Sequence, residues 1–497
     1  MGCTHLEESP LTVRCVLHSD VKGKRDYISE LPDCILSYIQ SMVSMKDMMN
    51  TCALSKRWSN LWHLRRDLNF DVHNVFGSEE ELLDKGYLAI EKVYEYSRKD
   101  ISDVCKDEFI KRVNQFVKNF KGIMIDSFMV KFNNLNHRHS KNIDEWIKFA
   151  ISRGVGRIDL LLYQEPGHYK GTRYTFPFGL SFECKSSRLK HMHLVGCKLV
   201  CPPSNFDIFP FTNLKSLVLE RSRVDVKLLT TLLSNCLLLE ELNLESCKVN
   251  SSSLKIVSSS LCHLKLLWCE ASKDEELEFI SLDCLKLTSF YSCHMNPSPS
   301  FSMNTPILKT IDHFDFPGGI YNAFSFFATV STLEILNLCI YYNCCPCCSG
   351  KGISIPLQTT LENLRELNLR VVSQFDIWWI LDVLKASPFL QKLSVMIEYP
   401  SFDANETDID DLPMFSHDEI KVIELGGCVG NWYEIEFAMN ALKYIHTLER
   451  IVLSPYWKDE MSPNNGQQCD PSWPNGRKGI LEKLQDEGIE LDKLVLL

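Results

Sequence analysis

Residues 214–249 read LKSLVLERSRVDVKLLTTLLSNCLLLEELNLESCKV. Leu214, Leu217 and Leu219 open the stretch, and Leu239, Leu242 and Leu244 repeat the same spacing 25 residues later. Within each triplet the last two leucines alternate with positions that are polar except for Val218, which is the period of a strand with one buried face. Between the triplets, Val226 to Asn235 carries Leu228, Leu229, Leu232 and Leu233 on one helical face. The stretch therefore predicts strand, turn, helix, strand. One such unit cannot bury its own apolar faces, so it has to be stacked on copies of itself.

The copies are present. The triplet recurs as Leu189-Met192-Leu194, Leu261-Leu264-Leu266, Leu285-Thr288-Phe290, Leu308-Ile311-His313 and Leu333-Leu336-Leu338. It continues as Leu364-Leu367-Leu369, Leu390-Leu393-Val395, Ile420-Ile423-Leu425 and Leu448-Ile451-Leu453. Ile125-Phe128-Val130 and Val155-Ile158-Leu160 read as earlier copies, and Leu491-Leu494-Leu496 as a last one. From Leu189 to Leu333 the steps are 25, 25, 22, 24, 23 and 25 residues, the period of a leucine-rich repeat. Eight positions after the lead residue stand Cys197, Cys247, Cys269, Cys293 and Cys428, where a small thiol tolerates burial under a turn. Further helical patterns cover Phe375 to Ala386 and Tyr433 to Tyr444. The expected fold is an α/β solenoid wound right-handed, with parallel strands on the concave face and a returning helix in each repeat.

Near the N-terminus lies a different pattern, DYISELPDCILSYIQSMVSMKDMMNTCALSKRWSNLWHL from Asp26 to Leu64. Leu31-Pro32 opens a helix with Ile35, Leu36, Ile39 and Met42 on one face. Ser44 can cap a second helix with Met48, Met49 and Cys52, and Ser55 a third with Trp58, Leu61 and Trp62. Three short helices this apolar bury too little of their own surface, so part of it is meant for a partner. Leu31-Pro32, Ile35-Leu36, the Leu54 to Trp58 run and Leu61-Trp62 resemble the plant type of F-box. The turn between the first two helices departs from that family, reading Met42-Val43-Ser44 in place of Phe-Leu-Pro. The resemblance implies docking on a Skp-type adaptor, and through it on cullin and RING subunits. The implied contacts are Leu31, Pro32, Ile35, Leu36, Ile39, Leu54, Trp58 and Leu61.

A second resemblance lies near the other end. His417 to Leu425, Asn431 to Phe437 and Leu448 to Pro455 are similar to the FBD region of plant F-box proteins. Physically these are two repeat strands with a helix between. The domain reading that results is a disordered tail over 1–24, an F-box over 25–70 and a join with helices over 71–124. Leucine-rich repeats of the RNI-like kind follow over 125–410, then the FBD-like region over 411–456, then a mobile loop and a repeat-like strand over 457–497. In the join, Leu83, Leu88, Ile90 and Val93 mark one helix, Phe109 to Phe120 another, with a loop from Ser97 to Asp107. Ser401 to Asp411 is acidic and Met461 to Lys478 is rich in Pro, Asn and Gly, so both read as solvated loops.

Among 497 residues, 45% are hydrophobic and 24% charged, and the formal net charge is −11. That balance argues against nucleic acid as the main ligand. No run is apolar and long enough to cross a membrane, and no secretory leader is apparent. The chain thus reads as intracellular, in nucleus or cytoplasm, with its 21 cysteines mostly reduced. No cofactor or catalytic motif is evident. Cys344-Cys345-Pro346-Cys347-Cys348 is badly spaced for zinc and is read as a loop inserted between repeats.

Strand alternation turns the second, fourth and sixth residues after each lead outward. The target-binding candidates on that face are His191, His193, Glu220, Glu241, Asn243, Glu245, Lys265, Glu366, Asn368 and Arg370. The leading expectation is a non-catalytic, substrate-recognition subunit of an SCF-type ubiquitin ligase. Two alternatives are a hormone co-receptor of the F-box repeat kind, and a repeat scaffold whose F-box no longer docks.

Overall fold

The structure is a computed structural model. It describes residues 30–51, 57–84, 88–93, 96–101, 103–133, 135–163, 173–178, 188–201, 211–272, 277–294, 299–315, 327, 329–341, 360–372, 377–398, 415–458, 467–469 and 473–497. The chain divides into two compact units, Met1–Leu214 and Lys215–Leu497.

The first unit begins with helices α1 (Asp33–Met42), α2 (Met45–Thr51) and α3 (Trp58–Leu61), and a 3-10 turn over Trp62–Leu64. Then come β1 (Asp67–Asp71), α4 (Val72–Phe76), α5 (Glu79–Asp84), β2 (Leu88–Val93), β3 (Tyr96–Ile101) and α6 (Asp103–Asn119). It ends with β4 (Ser127–Lys131), α7 (Ser140–Ser152), β5 (Arg157–Leu161), β6 (His191–Val195) and the two-residue strand β7 (Lys198–Leu199). β1, β4, β5 and β6 pair in parallel, in register through Phe70, Val130, Leu160 and Leu194. Trp62 packs edge-on against Phe116 and Phe120, at 5.1 and 5.7 Å between ring centroids. The helices at the start of the unit are thereby fixed to α6, and aromatic edges on faces favour that geometry.

The join departs from the sequence reading. Leu88–Val93 and Tyr96–Ile101 form an antiparallel hairpin where a helix and a loop were expected, and α6 already starts at Asp103. Apolar residues at 88, 90 and 93 fit both periods, and a run this short cannot separate strand from helix.

The second unit holds β8 (Ser216–Glu220), β9 (Arg223–Val224), α8 (Val226–Asn235), β10 (Glu241–Glu245), β11 (Lys248–Val249), β12 (Ser253–Ser258), β13 (His263–Leu267) and β14 (Glu270–Ala271). Next are β15 (Phe279–Cys284), β16 (Ser289–His294), β17 (Ser300–Asn304), β18 (Thr310–Asp315), β19 (Ile335–Tyr341), β20 (Glu366–Val372), α9 (Ile377–Ala386) and β21 (Lys392–Glu398). The unit closes with β22 (Val422–Gly426), α10 (Trp432–Tyr444), β23 (Arg450–Ser454), β24 (Tyr456–Lys458), β25 (Gln467–Cys469), α11 (Trp473–Asp486) and β26 (Leu494–Leu496). Parallel pairing runs β8, β10, β13, β16, β18, β19, β20, β21, β22, β23, β26 without a register slip. One buried column therefore contains Leu217, Leu242, Leu264, Phe290, Ile311, Leu336, Leu367, Leu393, Ile423 and Ile451.

That register corrects one repeat. Leu264 pairs with Phe290 and Leu266 with Ser292, so the triplet is Leu287-Phe290-Ser292 and not Leu285-Thr288-Phe290. Leu287 is fully buried, whereas Leu285 is 53% exposed. The repeat is hidden in the sequence because its third inward position is polar. Ser292 meets the buried His313 of the next repeat at 2.7 Å, Oγ to Nδ1. A polar pair satisfies itself there, and burial pulls the imidazole down to about 4, so it is neutral. Cys293 accordingly stands at the sixth place after its lead, not the eighth.

The returning segment is not always a helix. β12, β15 and β17 form a second parallel sheet behind the repeats led by Leu239, Leu261 and Leu287. Their inward residues alternate strictly, as Leu254, Ile256 and Ser258 show. An extended chain covers more than twice the height per residue of a helix, so a six-residue strand does the work of a longer helix. The C-terminal segment also differs from its reading, since Trp473–Asp486 is a helix where the expected loop ran on to Lys478.

Five of the described turns after strands share one demanding position, seven after the lead. Gly196, Arg221, Ser246, Trp268 and Gly427 all have positive φ there, from 47° to 72°. Arg221, Ser246 and Trp268 donate their backbone N–H to Glu245, Leu267 and Cys293 of the following repeat, each at 2.7 Å. The thiols of Cys197, Cys247, Cys269 and Cys428 lie buried just past this turn. Cys247 Sγ donates to Leu219 O at 3.2 Å, and burial pushes the Cys197 thiol up to about 12. Gly427 has no room for a side chain, because a Cβ would collide with the Ile397 carbonyl. Gly427→Ala is expected to cost about 1–3 kcal/mol, read as a lower melting temperature, while Ser246→Gly costs far less.

At the start of α10, Glu434 Oε2 accepts the N–H groups of Val429, Gly430 and Asn431 at 2.8–3.2 Å. Its other oxygen is buried without a partner. Burial raises this carboxyl from 4.5 to about 7, against those three hydrogen bonds. The folded value lies above the unfolded one. Its stabilising contribution is therefore full below about pH 4.5 and is lost as the pH rises through about 7. Thermal melts from pH 5 to 8 are expected to decline less in Glu434→Gln than in the native chain, by on the order of 2–3 kcal/mol.

Candidate partner-binding surfaces

The first surface is built from α1 to α3. Pro32 caps α1, its carbonyl accepting from Ile35 and Leu36 N–H at 3.0 and 3.1 Å. The missing N–H of Pro32 costs nothing at that place. Leu36, Trp58 and Leu61 form the core of the three helices, with Leu31 and Ile39 packed partly against it. Arg57 ties the start of α3 to the start of α1, donating to Leu31 O at 2.6 Å and to Asp33 Oδ1 at 2.7 Å. Ser44 caps α2 as expected: its Oγ accepts from Asp47 N–H at 3.0 Å and donates to Asp47 Oδ2 at 2.7 Å. The turn without proline is held from below. Buried Arg65 donates to Gln40 O at 3.2 Å, Val43 O at 2.9 Å and Asp67 O at 2.8 Å.

This geometry redistributes the expected adaptor contacts. Leu36, Trp58 and Leu61 are at most 5% exposed, so they build the module and present no surface. Pro32 and Ile35 are exposed, Leu31 and Ile39 half-buried, and Leu54 lies outside the described residues. Sequence reasoning missed the rest of the apolar strip. Ile35, Tyr38 and Met42 are 45%, 63% and 71% exposed, at a spacing that puts them on one side of α1. Met49 of α2 is also exposed. The signal was available, since Met42 shares a helical face with Ile35, which the sequence reading counts among the adaptor contacts.

Gln40 is an oddity in this module. It is fully buried, and neither its amide oxygen nor its nitrogen has a partner. A buried unsatisfied amide is costly. Gln40→Leu is expected to raise the unfolding free energy by about 1–3 kcal/mol, measurable by denaturant titration.

The second surface is the outward side of the strands. In the first unit, His191 is exposed and His193 half-buried, its Nδ1 3.8 Å from Asp159 Oδ1. Asp159 is itself paired with Arg157 at 2.8 Å, and the hydrogen bond from Arg157 to it raises the guanidinium pKa. In the second unit, Glu220, Glu241, Asn243 and Glu245 are half-buried, and Ser216 Oγ donates to Glu241 at 2.8 Å. Glu366 meets Lys392 at 3.2 Å, Lys392 meets Glu424 at 3.5 Å, and Arg450 meets Glu424 at 3.4 Å. Arg370 meets Glu398 at 3.3 Å. Much of the charge in this part of the face is therefore matched internally, at a gain of only about 0–1 kcal/mol per pair.

Between these stretches lies a group of which sequence reasoning named only Lys265 and Asn368. Lys265 extends over Tyr291, whose ring stacks on Phe314 at 5.3 Å. Beside them Asp312 accepts a hydrogen bond from Asn337 Nδ2, and Asn337 Oδ1 accepts from Asn368 at 2.7 Å. Tyr291 is an outward position on either count, sixth after Leu285 or fourth after Leu287, so its place on this face was legible in the sequence. The cysteine cluster at 344–348 lies outside the described residues. Among the described residues no group of three His, Cys, Asp or Glu could hold a metal.

A family model described as At1g61320/AtMIF1, LRR domain, matches residues 116–485. The chain belongs to this leucine-rich-repeat family. The F-box/FBD/LRR-repeat protein At3g52680 of Arabidopsis thaliana is 31% identical over 256 residues, 51% of this chain and 47% of that relative. The chain thus spans about half the length of that protein. The F-box/FBD/LRR-repeat protein At1g13570 of the same plant is 25% identical over 447 residues, covering 88% of this chain and 92% of its own. The F-box/LRR-repeat protein At1g55660, also from Arabidopsis thaliana, is 26% identical over 340 residues, 64% and 82% of the two chains. These names agree with both resemblances read from the sequence, those of a plant F-box/LRR protein with FBD-like features. The α/β repeat architecture follows from the family and the parallel strands together. No helix among the described residues is long and apolar enough to cross a membrane.

Proposed function

We propose that this leucine-rich-repeat chain is the substrate-recognition subunit of an SCF-type cullin–RING ubiquitin ligase. The observation that carries the reading is the exposed strip Pro32, Ile35, Tyr38 and Met42, set on a buried Leu36–Trp58–Leu61 core in a stretch with F-box spacing. In this reading residues 25–70 are a three-helix F-box docking on a Skp-type adaptor. Residues 71–124 are the join, and a right-handed solenoid over 125–410, continued by the FBD-like 411–456, holds a target protein on its strand face. The subunit performs no bond chemistry. Its contribution is proximity: tethering raises the effective concentration of target lysines near the charged conjugating enzyme. The place of action is the nucleus or cytoplasm, where the adaptor is met.

Hydrophobic surface of this size supplies affinity through its few well-seated side chains. The double variant Ile35→Asp, Met42→Asp is expected to cut adaptor retention in a pull-down at least tenfold, with an unchanged melting temperature because both residues are exposed. Leu31→Ala, Pro32→Ala is expected to act in the same direction. Normal retention by both variants would sink the docking assignment.

A further inference from the structure

We propose that the outward face of β16 and β18 is the anchoring point for the target, and that it receives an arginine side chain of that protein. The inference rests on the target-binding role of the strand face given above.

Tyr291 and Asp312 are register partners on adjacent strands, about 5 Å apart. Phe314 follows Asp312 by two residues and so lies on the same face. The two rings are nearly parallel, 29° apart, and Asp312 stands on the same face beside them. The carboxylate of Asp312 differs from its acidic neighbours. Glu366, Glu398 and Glu424 each have a lysine or arginine within 3.5 Å. Asp312 has a neutral amide instead, from Asn337. Lys265 is one strand further away, on the other side of Tyr291, with its ammonium 5.7 Å from that ring. The carboxylate is half-buried, and burial raises its pKa against the Asn337 hydrogen bond and the Lys265 charge.

An anion held this way gains from an incoming cation that is itself easily desolvated. A guanidinium meets both demands, because it is planar, weakly hydrated and always charged. It can stack on an aromatic face while two of its N–H groups donate to a carboxylate. An ammonium would reach Asp312 but would leave the stacking surface unused. An acidic side chain is repelled by Asp312. Aromatic and charged residues grouped on one face are the composition of a binding hot spot.

The test selects heptapeptides from a phage-displayed library on the full-length chain, then measures synthetic copies by fluorescence anisotropy. Arginine-bearing peptides are expected to be enriched. Their affinity is expected to fall at least tenfold with Asp312→Asn, with Tyr291→Ala, and when citrulline replaces the peptide arginine. Asp312→Asn keeps an oxygen for Asn337, so the fold is retained, and a melting curve checks this. Glu449→Gln, at an exposed carboxylate beside Lys421, is expected to change nothing. Equal binding by Asp312→Asn shows attraction to the net negative chain only and overturns the proposal, as does enrichment of acidic or purely apolar peptides, or of none. Peptides lost on Glu241→Gln overturn this placement but leave a target-binding strand face standing. Adaptor retention reads the docking role separately.

Discussion

Parallel, in-register pairing is the constraint on which the second unit depends. Between β8 and β26, the strands β10, β13, β16 and β18 to β23 each give their inward residues to one shared column and hydrogen-bond to a strand on either side. No repeat has a core of its own. Leu242 is buried because Leu217 and Leu264 flank it, and the same holds along the column to Ile451. Each such leucine contributes about 1.5–3 kcal/mol on burial, and only while its neighbours stay in place. A slip of one residue would turn the whole inward set outward, so the register is strongly specified.

The same constraint shapes the turns and the back of the unit. After five of the described strands the chain turns sharply, and the residue seven after the lead adopts positive φ to do so. Glycine fills that place at 427, where a Cβ would strike the neighbouring backbone, while Arg221, Ser246 and Trp268 accept it with side chains. Behind the strands the return has only to cover the apolar column. Helix α8 does so in one repeat, and β12, β15 and β17 in the next three. The strand face, by contrast, is under no packing demand, and there Glu366, Glu398 and Glu424 pair with lysine or arginine while Asp312 has a neutral amide.

The N-terminal helices follow a different logic. Their interior is small, so a few residues decide it: Leu36, Trp58 and Leu61, with Arg65 collecting the carbonyls at the end of α1. The apolar side chains left over, Ile35, Tyr38 and Met42, have nothing in their own module to cover them. A small module that keeps apolar surface exposed is matched to a partner rather than to itself. Target choice and docking would then fall on separate elements of one chain, which is what a tether needs.

Much of this was legible in the sequence because period is a local property. The spacing of Leu214, Leu217 and Leu219 and its return every 21–31 residues as far as Leu448 determined the repeat, the inward and outward positions, and helices α8, α9 and α10. Leu31 to Trp62 likewise determined three short helices and the cap at Ser44. What only the tertiary structure decided are matters of partnership between distant residues. Ser292 is an inward residue because His313, in the next repeat, satisfies its hydroxyl, and no local pattern announces that. Leu88 to Val93 is a strand because Tyr96 to Ile101 pairs with it. Leu36 and Ile35 are adjacent and equally apolar, yet one is core and the other surface, because Trp58 and Leu61 pack on only one side of α1. Tyr291, Asp312 and Phe314 come together through pairing across strands more than 15 residues apart in the chain, and sequence order does not contain that proximity.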